Sequence, residues 1–263
     1  MRVFAVIGCG VVGSSIADFY ENQTNFRVIR EDPKYNQPEA YPEIVHESQV
    51  AFVCVPTPTV DQVQDLSYVE QVFSKLHEMD YSGIVLLKST VLPGTCDNLA
   101  AKFPKLKLVH SPEFLTADLA TSAFSRQTLQ ESSSLFSGPM ALEAAKLVCW
   151  NLDLYHSTCL DYRTTEMAKY LHNTFLATKV LFMNEFRYMC EHMELDYRQV
   201  RDMAVRQGKI GYNHTEVPGR DGLGYAGACF PKDMAAFITW GDREGFSQNV
   251  QLLRLAQERN AEF

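Results

Sequence analysis

The sequence predicts an α/β fold, a doubly wound parallel sheet followed by a smaller all-helical domain. Short apolar runs rich in β-branched residues alternate with helical patterns over the first part of the chain, which is typical of βαβ units. A glycine-rich turn joins the first run to the first helical pattern. From Thr164 to Leu195 a stretch without Pro or Gly keeps helical spacing, which indicates a second, helical domain. We therefore place the domains at 1–160 and 161–263.

The elements are predicted in chain order from apolar runs and the residues that end them. Strands are expected at 2–7, 25–32, 50–56, 83–90 and 107–110, with a weaker strand at 135–138 and a last one at 152–156. Helices of the first domain are expected at 11–22, 66–79 and 139–150. In the second domain, the glycine-rich loop 208–230 follows the long helix and precedes helices at 232–245 and 247–260.

Composition narrows the classes of partner and compartment. The net charge is −8 and the pI is about 5.4, which argues against nucleic acid or a membrane surface as partner. The seven cysteines are scattered without a CxxC pair, so we expect reduced thiols, a cytoplasmic protein and no metal. The sequence has neither a signal peptide pattern nor an apolar run near the ~20 residues that a membrane span needs.

The first candidate site is the glycine turn GCGVVG, in which Gly8, Gly10 and Gly13 follow a strand and open a helix. Such a turn lets a pyrophosphate approach the helix N-terminus, as in Rossmann-like dinucleotide sites. Asp32, at the end of the next strand, is suited to the adenosine ribose and favours NAD over NADP. Glu31 could take that role instead, Arg30 could accommodate NADP, and a turn that binds nothing is the alternative to all three.

The second candidate site is the stretch GACFPKD around Cys229. If a helix starts after Pro231, Lys232 and Asp233 lie in its first turn near the thiol. Nearby cations and a helix N-terminus favour a thiolate, which is the nucleophilic form. The alternative is a small cysteine buried beside a loop.

Four further residues are candidates from their spacing and position. Lys169 and Asn173 share one face of the long helix and could hold an oxyanion or a sugar hydroxyl, although a solvated face would look the same. Thr90 and Glu113 follow inner strands at their carboxyl ends, where a doubly wound sheet places its ligands. Either one could instead be an ordinary turn residue.

Six motifs in order resemble the UDP-glucose/GDP-mannose dehydrogenase family. They are GCGVVG, VPTPT (55–59), KSTVLPGT (88–95), SPEFL (111–115), EMAKYLHNTFLATKVLFMNE (166–185) and VPGRDGLGYAGACFPKD (217–233). The resemblance implies oxidation of the C6 alcohol of a nucleotide sugar to a carboxylate, with reduction of two NAD and UDP-glucose as the leading substrate. It also implies a homodimer.

The same resemblance assigns roles to the candidate residues. Cys229 would carry a thiohemiacetal and then a thioester, and Lys169 would stabilise the oxyanion. Asp233, with Thr90 holding a water, would assist proton removal, Glu113 would activate the hydrolytic water, and Asn173 would orient the sugar. The implied cofactor contacts are Gly8, Gly10, Val11, Val12, Gly13, Asp32, Val55, Pro56, Thr57, Pro58, Thr90 and Lys232. The implied substrate contacts are Glu113, Phe114, Leu115, Lys169, Asn173, Lys209, Arg220, Tyr225 and Gly227.

The chain departs from the family pattern at several positions. Ala226 stands where the family usually has glycine, Ala117 replaces an acidic residue unless Asp118 substitutes, and Lys209 stands where an arginine is common. The family's third domain has no counterpart here, so we expect either a compact form relying on dimerisation or a truncated product.

Other functions remain open at this level. The substrate could be GDP-mannose or a UDP-N-acetylhexosamine. A hydroxyacid dehydrogenase of the 6-phosphogluconate type shares the domain plan and a Lys-x-x-x-Asn helix, but does not need a cysteine in a CFPKD loop. The last alternative is a catalytically weak NAD- or nucleotide-binding protein.

Overall fold

A computed structural model describes residues 1–35, 40–114, 135–149, 157–219 and 222–263. The chain divides into two compact units, the first of residues 1–58 and 64–169 and the second of 59–63 and 170–263. The division falls after Lys169, within a helix that begins at Tyr162, whereas the sequence placed it at residue 160. The start of this helix belongs to the first unit because the Glu166 carboxylate accepts hydrogen bonds from the N–H groups of Gly94 (2.7 Å) and Cys96 (2.8 Å).

The strands form one seven-stranded sheet and a separate two-stranded ribbon. In chain order they are β1 (Arg2–Ile7), β2 (Phe26–Glu31), β3 (Val50–Val53), β4 (Thr59–Val60), β5 (Val63–Gln64), β6 (Ile84–Leu87), β7 (Lys107–His110), β8 (Leu135–Ser137) and β9 (Ser157–Cys159). The sheet order is β2-β1-β3-β6-β7-β8-β9, and β4 pairs with β5. All pairs in the sheet are parallel except β7 with β8. The fold class expected from the sequence is confirmed, with one antiparallel pair inside the parallel sheet.

The helices are α1 (Val11–Glu21), α2 (Tyr41–Glu47), α3 (Ser67–Glu78), α4 (Thr95–Lys102), α5 (Ala141–Val148), α6 (Tyr162–His192), α7 (Tyr197–Val205), α8 (Phe230–Arg243) and α9 (Gln251–Asn260). The sequence analysis did not predict α2, α4, α7 or the β4–β5 ribbon. Each of these is short, so it offers few turns of periodic pattern to detect. The strand expected at 152–156 lies outside the described residues. Among the described helices, none has the length and hydropathy needed to cross a bilayer.

Both faces of the sheet are buried, which is the reason its strands read as continuous apolar runs. In β1, Phe4 and Val6 pack into one core with α1 and α5, while Ala5 and Ile7 pack into the other with α2, α3 and α4. The Tyr20 ring of α1 meets Phe4 edge to face, with 4.9 Å between ring centroids. Helices on both faces therefore fix the sheet from either side.

The sheet order places a switch point at β1, which lies between β2 and β3. The helix after β1, α1, and the next helix after β3, α3, pack on opposite faces of the sheet, and ligands usually bind at such a point. In the second unit, a smaller core joins α6, α8 and α9. It is built from Ala177, Leu181, Tyr225, Met234, Ile238, Val250 and Ala256.

Candidate active site

The glycine turn after β1 is shaped by close backbone packing. A Cβ at Gly13 would lie 1.9 Å from the Gly8 carbonyl oxygen, and a Cβ at Gly8 (φ +86°) would lie 2.9 Å from the Cys54 backbone. A Cβ at Gly10, in contrast, would have no described protein atom within 4 Å. Packing therefore explains Gly8 and Gly13, whereas a side chain at Gly10 would enter open space. The turn fits a bound dinucleotide.

The start of α1 supplies donors to that space. Gly10 is the N-cap of α1 and offers no side-chain cap, so the first N–H groups of the helix are available to an anion. Val11, the first helical residue, is exposed, and Val12 is partly buried against the core. These observations suit the predicted contacts of Val11 and Val12 with the cofactor.

The two acidic candidates at the end of β2 have different surroundings. Asp32 Oδ2 accepts a hydrogen bond from the Cys9 N–H in the glycine turn at 2.6 Å, and its Oδ1 accepts from the Lys34 N–H at 2.9 Å. Glu31 instead accepts from the Ala40 N–H at 2.7 Å. The Asp32 carboxylate is thus the one held against the glycine turn. The Arg30 guanidinium pairs with carboxylates of α1, those of Asp18 and Glu21.

Buried charges collect behind the carboxyl ends of β6 and β7. Lys88 is only 2% exposed and Glu113 6%, and Lys88 Nζ lies 3.4 Å from Glu113 Oε2. Lys169 Nζ donates to the Glu113 carbonyl oxygen and lies 4.9 Å from the centre of the Phe114 ring. Glu113 Oε1 in turn accepts from the Phe114 N–H at 2.8 Å. The structure therefore brings Glu113, Phe114 and Lys169 together in the first unit.

A buried histidine adjoins this cluster. His110 Nδ1 lies 2.7 Å from Thr165 Oγ1, and Ser137 Oγ lies 2.5 Å from the same hydroxyl. Burial, with a smaller effect of the positive Lys88, lowers the pKa of His110 to about 3. The imidazole is therefore neutral at physiological pH.

The loop after β3 is tied to the loop after β6. Thr57 Oγ1 and Gln64 Nε2 both donate to the Thr90 carbonyl oxygen, at 2.8 and 2.9 Å. Ser89 Oγ donates to the Val55 carbonyl oxygen at 2.6 Å. Pro56 is exposed, and Pro58 is half-buried. Three of the predicted cofactor contacts, Val55, Thr57 and Thr90, thus belong to one connected pair of loops.

In the second unit, Cys229 is exposed and forms the N-cap of α8. Asp233 is 1% exposed; its Oδ2 accepts from Asn173 Nδ2 at 2.6 Å, and its Oδ1 pairs with Lys232 Nζ. The Asp233 N–H donates to the Cys229 carbonyl oxygen at 3.0 Å. The helix begins at Phe230, one residue before Pro231, so the charged pair lies in its first turn, as expected. Asn173, Lys232 and Asp233 are brought together, at the first turn of the helix that Cys229 caps.

The loop before the cysteine uses glycine where its backbone is left-handed. Gly222, Gly224 and Gly227 have φ of +104°, +69° and +80°. Ala226 is exposed and lies outside that region, so an L-residue fits there without strain. The Tyr225 ring is buried in the core of the second unit, and burial raises its pKa to about 12.

The remaining predicted contacts are not joined to these clusters by the described geometry. Lys209 is exposed in the loop after α7. Leu115, Arg220, Ala117 and Asp118 lie outside the described residues.

Sequence reasoning missed several residues that support the site. Lys88 had a detectable signal, since a lysine directly after a buried strand needs a charged or polar partner. Gln64, Glu166, Asn184 and Asn260 had none, because each bonds backbone groups distant in sequence.

Comparison with known proteins agrees with this arrangement. Residues 18–127 match the UDP-glucose/GDP-mannose dehydrogenase family, NAD binding domain, and residues 163–262 match the central domain of the same family. NAD is accordingly the cofactor of the first unit. A UDP-glucose 6-dehydrogenase from Pseudomonas aeruginosa is 30% identical over 229 residues, covering 82% of this chain and 49% of the relative. One from Rickettsia prowazekii is 31% identical over 201 residues, covering 70% and 43%. The chain spans about half the length of the curated relatives it matches.

Solved structures share the fold at low identity. A UDP-glucose dehydrogenase from the hyperthermophilic archaeon Pyrobaculum islandicum superposes with a TM-score of 0.80 at 23% identity, over 98% of this chain and 68% of that one. A 3-hydroxyisobutyrate dehydrogenase from Mycobacterium tuberculosis superposes with a TM-score of 0.73 at 16% identity, over 100% and 94%. The fold is thus common to two kinds of dehydrogenase, and the two family matches distinguish between them. The chain belongs to the UDP-glucose/GDP-mannose dehydrogenase family.

Proposed function

We propose that the chain catalyses NAD-dependent oxidation of the C6 alcohol of a nucleotide sugar to a carboxylate, with UDP-glucose as substrate. The observation that carries the proposal is the exposed Cys229 at the start of α8, beside the buried Asn173–Asp233 pair. A hydroxyacid dehydrogenase needs no thiol at this place, whereas oxidation of an alcohol to an acid needs a group that retains the aldehyde.

The first unit would hold the cofactor. The turn at Gly8, Gly10 and Gly13 would take the pyrophosphate, and Asp32 would take the adenosine ribose. Two NAD would bind in succession, and each would accept one hydride from C6, the first from the alcohol and the second from the thiohemiacetal.

Cys229 would hold the carbon that is oxidised. Its sulfur attacks the aldehyde carbon to give a thiohemiacetal, which the second oxidation converts into a thioester. Water then breaks the C–S bond, so one water is consumed and the thiolate is regenerated. Asp233, with Thr90 holding a water, receives the alcohol proton, and Asn173 orients the sugar.

The charged cluster of the first unit would serve the other steps. The Lys169 ammonium is buried, and a cation in such surroundings stabilises a developing oxyanion more strongly than one in water. Glu113 would take a proton from the hydrolytic water, with Lys88 balancing its charge at 3.4 Å.

The test is production of NADH from NAD with UDP-glucose, GDP-mannose or a UDP-N-acetylhexosamine in separate reactions. We expect two NADH per UDP-glucose and loss of turnover in Cys229→Ser. Cys159 is a half-buried cysteine of β9, so Cys159→Ser is the matched control and should keep full activity.

Two outcomes would contradict the proposal. NAD binding without turnover of any of these sugars would favour a non-catalytic nucleotide-binding protein. Turnover that survives Cys229→Ser would remove the thioester route. Preference for GDP-mannose or the N-acetylated sugar would correct the substrate alone.

We further propose that the protein is a homodimer. Apolar side chains on α6 are exposed at spacings of three, four and seven residues, which places them along one face of the helix. They are Leu171, Phe175, Phe182, Phe186, Met189 and Met193. Light scattering of the wild-type protein should give the mass of a dimer, and Phe182→Glu should give that of a monomer. Met203 is an exposed methionine of α7, so Met203→Glu is the control and should remain a dimer. A wild-type monomer at working concentration would refute the dimer.

A further inference from the structure

Two asparagine side chains hold the loop backbone that precedes Cys229. Asn260 Oδ1 accepts from the Tyr225 N–H at 2.7 Å, and Asn260 Nδ2 donates to the Tyr225 carbonyl oxygen at 3.0 Å. Asn184 Oδ1 accepts from the Gly224 N–H at 3.2 Å. The Asn260 amide thus satisfies both polar groups of one loop residue, as a neighbouring strand would.

The fit between this loop and Asn260 is close. A Cβ at Gly224 would lie 2.5 Å from Asn260 Oδ1, and the left-handed φ of +69° also favours glycine there. The adjacent Tyr225 ring is buried in the core of the second unit, which also contains Val250 and Ala256. Both side chain and backbone therefore anchor the loop at Tyr225.

The loop beyond this anchor has little other support. Residues 226–229 are exposed, and the next fixed point is the first turn of α8, where Asp233 N–H bonds the Cys229 carbonyl oxygen. An exposed segment of this kind keeps conformational freedom that must be lost before it reacts. Fixing Tyr225 removes part of that freedom in advance.

We propose that Asn260, supported by Asn184, is a positioning residue for the reaction of Cys229. It acts through the backbone of Gly224 and Tyr225, without touching the reacting atoms. The inference rests on the proposed function and adds to it residues on α6 and α9 that lie outside the cysteine motif.

The test combines amide hydrogen exchange of the 222–229 region with steady-state kinetics. In Asn260→Ala we expect exchange in this region to rise about tenfold, because two hydrogen bonds are lost. We expect kcat to fall about tenfold while the NAD dissociation constant stays unchanged, since the glycine turn belongs to the first unit. Asn249→Ala, which alters an exposed asparagine of the second unit, is the matched control and should change neither quantity.

Two further variants separate positioning from folding. Asn260→Asp keeps the side-chain volume and the acceptor for Tyr225 N–H but loses the donor, so we expect raised exchange in a folded protein. Asn184→Ala loses one longer bond, so its effects on exchange and kcat should be in the same direction and smaller.

The outcomes are distinguishable from failure of the proposed function, because exchange needs no turnover. Unchanged exchange in both Asn260 variants would overturn the anchor, whatever the activity. Raised exchange with unchanged kcat in an active enzyme would overturn the positioning role. A wild-type protein without turnover would overturn the positioning role together with the proposed function, while exchange would still report on the anchor.

Discussion

The glycine turn of the first unit and the cysteine loop of the second are both backbone sites, but they are held in different ways. At Gly13 the place of a Cβ is occupied by the Gly8 carbonyl, whereas no described atom lies within 4 Å of a Cβ at Gly222. The turn is fixed by packing under a buried sheet, and the loop by a few hydrogen bonds from asparagine side chains. Substitutions at the packed positions Gly8 and Gly13 should therefore change stability, and substitutions in the loop should mainly change the reaction.

The largest expected effect comes from the buried charge of the first unit. Lys88→Met leaves the Glu113 carboxylate without its buried lysine partner, so the free energy of unfolding should fall by about 3–5 kcal/mol. Denaturant unfolding measures it. Lys102→Met, which breaks an exposed pair with Glu70, is the control and should have little effect. Equal effects of the two variants would contradict the prediction that the buried Lys88–Glu113 pair contributes more to stability than the exposed Lys102–Glu70 pair.

The second prediction concerns two glycines of the same turn. Gly13→Ala should lower the free energy of unfolding by about 3 kcal/mol, because the new Cβ overlaps the Gly8 carbonyl. Gly10→Ala should lower this free energy by no more than about 1 kcal/mol, because alanine is a poorer N-cap than glycine, and it should weaken NAD binding, measured by fluorescence titration. Unchanged NAD affinity in Gly10→Ala would contradict the assignment of that space to the ligand.

The third prediction uses pH to probe how completely the first unit excludes water at His110. Its pKa is lowered to about 3, while an unfolded histidine titrates near ~6.5. Between these values the unfolded chain binds a proton that the native protein does not. The free energy of unfolding should therefore fall with falling pH, by up to about 1.4 kcal/mol per pH unit from this group.

His110→Gln should reduce that slope in urea unfolding measured between about pH 5 and 7. His46→Gln, at an exposed position of α2, serves as the control and should keep the wild-type slope. A slope that is identical in wild type and His110→Gln would show that another group carries the acid sensitivity.

The smallest effect is expected at Ala226. Ala226→Gly should change the free energy of unfolding by less than about 0.5 kcal/mol and leave kcat within twofold. The residue is exposed and outside the left-handed region, so glycine gives no relief of strain. A large gain in kcat would show instead that alanine at this position restricts the loop.

The sequence predicted the sheet well because its signals are local. The run 2–7 coincides with β1. The glycines of the following turn are required because a Cβ at Gly8 or Gly13 would overlap backbone atoms. Short elements such as α7 were missed because they contain too few turns to show a periodic pattern. The domain boundary was placed at residue 160 because composition changes there, whereas contacts of Glu166 assign the start of α6 to the first unit.

In the candidate site, too, groups of residues close in sequence could be predicted, whereas contacts between distant residues could not. Cys229, Lys232 and Asp233 lie within five residues, so one helix start brings them together. The contact of the Asp32 carboxylate with the Cys9 N–H, by contrast, spans 23 positions. The partner of Tyr225 is 35 positions away on α9.

Local patterns were enough to predict the long helices, the main parallel strands, the glycine turn and the cysteine motif, because periodicity, turn chemistry and short spacings are encoded locally. The pairing of Lys88 with Glu113 and that of Asn260 with Tyr225 became visible only in the folded protein. Those pairs form because packing of the sheet and helices brings distant residues within hydrogen-bond or ion-pair reach, and buried polar groups must then find partners there.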